Sequence, residues 1–198
     1  MGFILLAGPA LAHGTEWLDQ TYLHVDAGPA ILASGGLFGL YGDGVRGDVA
    51  FGYNLTESWS AEFETGVIWN PVNRRDSPVH DALYQYPILA NVVYQHRFGP
   101  GWSVYLNTGA GGAVTTIDAT VGGGGPLPGP GVRDDDTDLS FAFQAGGGVR
   151  YHVCANAALD VGYKFLGSLG HEWRIGSAVL RVDEIYTHAA LASFSWNF

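Results

Sequence analysis

Apolar and polar residues alternate one by one along most of this chain, which is the period of a strand with one apolar side. The last thirteen residues show it plainly. Phe198, Trp196, Phe194, Ala192 and Ala190 share one face, while Asn197, Ser195 and Ser193 share the other. The same pattern recurs upstream. Trp59, Ala61, Phe63, Thr65, Val67 and Trp69 oppose Ser60, Glu62, Glu64 and Gly66. Tyr86, Ile88, Ala90, Val92 and Tyr94 oppose Gln85, Asn91, Gln95 and Arg97. Eight strands are predicted in all, over Tyr22–Leu32, Val45–Tyr53, Trp59–Trp69, Tyr84–Phe98, Trp102–Val114, Leu139–Tyr151, Ala157–Phe165 and Tyr186–Phe198. Pro87 has no N–H for a ladder, so it is expected near a strand end or at a bulge.

The connections alternate in length. Ser34–Gly44, Asn70–Leu83, Thr115–Asp138 and Leu166–Ile185 are long, whereas Asn54–Ser58, Gly99–Gly101 and His152–Asn156 are tight turns. An antiparallel up-and-down barrel inserted from one side produces this rhythm, with short turns and both termini at one rim. The predicted class is therefore all-β, an eight-stranded transmembrane β-barrel. The alternative, a soluble barrel with its apolar face inward, is disfavoured by size. Trp59, Phe63, Trp69, Phe141, Phe143, Trp196 and Phe198 would overfill so narrow an interior. The other face carries Gly66, Gly109, Gly111, Gly146, Gly148 and Gly162, small enough for a crowded lumen. It also carries charges of both signs, and enclosed charges must be paired. Arg46, Asp48, Glu62, Glu64, Arg97, Arg150, Asp160 and Lys164 are the expected lumen ion network, with Asp26 on the same face.

Composition agrees with this picture. Only 14% of residues are charged, against about a quarter in soluble domains, and Lys164 is the one lysine. A net charge of −10 argues against a nucleic-acid partner. The single cysteine, Cys154, excludes an internal disulfide framework. Residues 1–12 end an apolar run in Ala10-Leu11-Ala12 and read as a signal peptide, leaving 13–198 as the barrel. The missing basic start of that leader places the expected translation start upstream of Met1.

Candidate chemistry is sparse. His152, Cys154 and Asn156 loosely echo the His-x-Ser-Asn motif of an outer-membrane lipid A deacylase family, but cysteine stands for serine and the asparagine is displaced by one. Glu62 and Glu64 point the same way, which suits an ion network better than acid–base work. Asp134, Asp135, Asp136 and Asp138 lack the ligand spacing of a calcium loop. The Gly122–Gly125 run has no strand-to-helix context and no following Lys, so it is no phosphate cradle. No catalytic residue, cofactor site or metal site is predicted.

The stretches Tyr86–Tyr94, Gln144–Tyr151, Leu159–Tyr163 and His188–Phe198 resemble the small outer-membrane β-barrel superfamily of Gram-negative bacteria, which includes the opacity proteins and OmpA/OmpX-like barrels. The resemblance implies a bacterial outer-membrane location with periplasmic termini. It also implies contact with outer-membrane lipid and lipopolysaccharide, and assembly by the barrel-assembly machinery through Phe194, Trp196 and Phe198. The function expected is non-enzymatic: an envelope-structural role, or adhesion and partner binding through the loops. A narrow solute channel, a structural partner within a larger membrane assembly and a lipid-modifying enzyme are the alternatives.

Overall fold

The computed structural model describes residues 20–33, 41–71, 82–121, 132–175 and 178–198. Its strands are β1 (Thr21–Leu32), β2 (Gly44–Asn54), β3 (Trp59–Pro71), β4 (Ala82–Gly99), β5 (Trp102–Val121), β6 (Val132–His152), β7 (Ala157–Ile175) and β8 (Ala178–Asn197). Each pairs antiparallel with the next, and β1 pairs with β8, so the sheet closes as a barrel of eight strands. The leader expected over residues 1–12 lies outside the described residues, as does the Gly122–Gly125 run.

The register fixes the tilt. From Thr21, successive cross-strand partners are Tyr53, Ala61, Val92, Thr108, Ala145, Phe165 and His188, and the partner of His188 on β1 is Ile31. The circuit thus climbs from Thr21 to Ile31. A stagger of that size in eight strands inclines them by about 40°. Each residue then advances about 2.5 Å along the barrel axis, so Trp59 and Trp69 mark out roughly the 25 Å of an apolar membrane band.

Two strand predictions need correction. The chain read as loop at Thr115–Asp138 and Leu166–Ile185 is largely strand: β5 runs on to Val121, β6 begins at Val132, and β7 and β8 are separated only by residues 176–177. These extensions rise beyond the membrane band. There the outward face meets water, so the apolar side of the alternation is lost while the ladder persists. Inward parity also changes in β7. Ser168 points in, but so do His171 and Trp173, because Gly170 takes a φ of 76°. A left-handed residue there turns the strand over, and β8 turns with it: Val182 and Ile185 both face inward.

Pro87 is the second correction, for it sits well inside β4. Its pairing with Ala113 on β5 is retained, while the β3 ladder passes from Thr65↔Ile88 to Ile68↔Gln85 with the register unchanged. The missing N–H costs a local gap rather than a bulge. Pro29 does the same at the closing seam, where the ladder passes from Ala27↔Ala192 to Ala30↔Ala189. Gly28 lies beside it because a Cβ there would come 1.9 Å from the Ala190 carbonyl oxygen.

Candidate functional site

Inward parity carries charged side chains into the middle of the barrel from β1, β2, β3, β6 and β7. Lys164 Nζ lies 2.7 Å from Asp26 Oδ2, 3.0 Å from Glu64 Oε2 and 3.3 Å from Asp48 Oδ2. Arg46 donates through Nε to Asp48 at 2.6 Å and through Nη2 to Glu64 at 3.0 Å. Asn91 Nδ2 donates to Glu64 Oε2 at 2.9 Å, and Gln144 Nε2 donates to both Glu64 oxygens. Glu64 is wholly buried. Each of its two oxygens meets at least two donors, the partnering a buried carboxylate requires.

Nearer the rim of the short turns a second group forms. Arg150 Nε and the Tyr105 hydroxyl each donate to Asp160 at 3.1 Å, and the guanidinium carbon stands 5.0 Å from the Tyr105 ring centre. The Tyr22 hydroxyl donates to Glu62 Oε1 at 2.7 Å. Of the eight residues expected in the lumen network, Arg46, Asp48, Glu64 and Lys164 thus meet in one belt and Arg150 with Asp160 in another. Glu62 binds a phenol. Arg97 lies exposed at the short-turn rim. Asn91, Gln144, Tyr22 and Tyr105 complete these networks; their inward parity was readable, but their partners, from one to four strands away, were not.

Towards the opposite rim two apolar groups line the lumen, with Asn70, Gln85, Thr115 and Thr187 buried between them and Gln85 Nε2 donating to Thr187 Oγ1 at 3.1 Å. Ala30, Ile68, Leu89, Ala113, Ala142, Leu166, Ala189 and Leu191 pack together above the charged belt. Leu32, Leu83, Ile117, Trp173, Val182 and Ile185 pack above them, with Tyr41 against their edge. Trp173 is fully buried, and its Nε1 donates to the Thr115 carbonyl at 3.3 Å. His171 stacks on Trp173, with Nδ1 3.4 Å from Asp138 Oδ2 and Nε2 3.0 Å from Ser168 Oγ. Those three groups stand in the order of a serine-hydrolase relay. Ser168 is nevertheless 0% exposed, and a nucleophile needs access to its substrate. The arrangement ties the β7–β8 hairpin to β6.

The other candidates stay apart. His152 Nε2 is 3.2 Å from both Gln95 Nε2 and Ser103 Oγ, Cys154 is exposed on the turn, and Asn156 Nδ2 donates to the Asn197 carbonyl at 2.9 Å. Among the described residues no group of three or more His, Cys, Asp or Glu could hold a metal ion. On the outside, Trp59 and Tyr94 pair at 4.9 Å, as do Trp102 and Tyr151, giving the short-turn rim an aromatic girdle. Phe194 and Trp196 face outward, and the Phe198 N–H donates to the Thr21 carbonyl at 3.1 Å.

Comparison with known proteins agrees with this architecture. The family model described as the outer membrane protein beta-barrel domain matches residues 2–198. The solved structure of Neisserial surface protein A is similar at a TM-score of 0.62 and 18% identity, covering 90% of this chain and 97% of that one. OprG from Pseudomonas aeruginosa is similar at 0.52 and 14%, covering 89% and 95%. Ail, the attachment invasion locus protein of Yersinia pestis, solved with the heparin analogue sucrose octasulfate, is similar at 0.51 and 14%, covering 89% and 97%. No curated protein matches the sequence.

Proposed function

As a chain that belongs to the outer membrane protein β-barrel domain family, this protein is a barrel of the bacterial outer membrane, and we propose that it works there as a non-enzymatic surface-interaction protein. The observation that carries this reading is the lumen. An ion-paired belt below and two apolar layers above fill it with side chains, so the barrel serves as a rigid stem rather than a conduit. The short-turn rim and both termini face the periplasm, and the long connections with the tall β5–β6 and β7–β8 hairpins stand outside the cell.

The character of the outer end points to the partner. Asp43, Asp136, Asp138, Glu172, Asp183 and Glu184 lie in that half, and Glu172 holds Arg181 at 2.9 Å. An acidic crown repels polyanions and attracts basic surfaces. Ail was solved with a heparin analogue; this chain is suited to the opposite charge.

Cells displaying the protein are expected to adhere to an immobilised polylysine surface more than cells lacking it, and not to immobilised heparin. Replacing Glu172, Asp183 and Glu184 together by their amides should remove most of that adhesion at unchanged surface levels. Adhesion that ignores the replacement, or a preference for heparin, counts against the proposal.

A further inference from the structure

The short-turn mouth holds a cavity that the surface reading does not use. It has a volume of about 540 Å³ and opens between the turn at 55–58 and the last residues of β6 and β8. That lies within the roughly 300–1,000 Å³ of small-ligand sites. Arg97 and Arg150 both line it, and Glu57, on the exposed turn, is the one acid among its lining residues. In a chain with 9 basic and 19 acidic residues, this reverses the prevailing sign.

We infer that this mouth binds a short peptide ending in a free carboxylate. The lining joins two chemistries that suit such a ligand. Arg150 is held in place, with a side chain only 8% exposed, by Asp160 at 3.1 Å and Gln95 at 3.1 Å. Arg97 lines the same mouth from the exposed end of β4, where it meets solvent. A guanidinium is the planar donor that matches a carboxylate. Around the same mouth Asn54, Ser58, Ser60 and Asn197 present amide and hydroxyl groups, the chemistry that satisfies peptide N–H and C=O groups. Ser60 Oγ donates to Asn54 Oδ1 at 2.8 Å, which fixes those two side chains. The site lies at the rim opposite the acidic hairpins, so it stands or falls separately from the adhesion reading.

The test uses the full barrel in lipid nanodiscs, where both mouths are open to solvent, and isothermal titration with N-acetyl-dialanine. The acid is expected to bind saturably, and its C-terminal amide at least tenfold more weakly. Arg97→Gln should weaken the acid at least tenfold and Arg97→Lys should recover part of the loss. Arg97 is exposed, so heat-modifiable gel migration should stay that of the folded barrel in both variants. Equal binding of acid and amide, or an Arg97→Gln variant that binds as well as the parent, overturns the inference. Displacement of the peptide by inorganic phosphate at equal concentration also overturns it, because the mouth would then be a general anion site.

Discussion

Glu64 and Lys164 show what single residues do inside this wall. Lys164 has three carboxylates within 3.3 Å, and those contacts stand in for the hydration it gives up. Removing one partner of a buried cluster leaves the others uncompensated, at about 3–5 kcal/mol. Lys164→Met should therefore lower stability by about that amount, read from urea unfolding of the barrel in lipid vesicles. A loss below about 1 kcal/mol would mean that the belt is hydrated and its pairs individually weak. Which residues enter the lumen between the two girdles was legible from parity, since side chains alternate along an unbroken strand. Which of them meet was not. Arg46 and Gln144 are neighbours across the lumen although 98 positions separate them, and only the stagger of the closed sheet sets that approach. Arg97 shares the inward parity of Gln95 but lies too near the rim to join the belt.

At the scale of elements, the alternation located all eight strands and the three tight turns, because the outward face is apolar wherever lipid touches it. It failed where lipid ends. Above the membrane band β5 to β8 continue as paired strands, with Asp138, Glu172 and Glu184 among residues that no longer separate cleanly into two faces. Gly170 adds to the failure by reversing parity in mid-strand. Trp173 and Val182, both buried, consequently fall out of phase with Lys164 and Leu191 below them. The closing seam deserves a separate test. Pro29 opens a gap in the β1–β8 ladder, and the last bond of that seam runs from the Phe198 N–H to Thr21. Deleting Phe198 should lower the amount of heat-modifiable protein in isolated outer membranes severalfold. Its ring is half exposed on the outer wall, so little interior packing would be lost. Undiminished outer-membrane levels would remove any role for that residue in assembly.

The molecule as a whole is lopsided. β1, β2 and β3 have 12, 11 and 13 residues, whereas β5 to β8 have 19 to 21. At about 2.5 Å per residue the short strands just cross an apolar band of about 25 Å, and the long ones stand about as far again beyond it. The two apolar layers of the lumen occupy the way out. Planar bilayers containing the purified barrel should accordingly show no discrete conductance steps above background. Reproducible steps would return the chain to the class of narrow channels. The closed architecture and its membrane setting could be read from strand count, parity and girdle aromatics. The apolar plug could not, because Trp173 and Ile185 lay in chain without a steady period.

Lys164 has one more consequence, in reagent chemistry. It is the chain's only source of an ε-amine, and folding seals that amine behind the barrel wall, 5% exposed and held by carboxylates. Amine-directed acylating and crosslinking reagents thus find no side chain to modify on the assembled protein, while the unassembled chain offers one. The same burial that balances the lumen makes the protein its own indicator of whether the wall has closed.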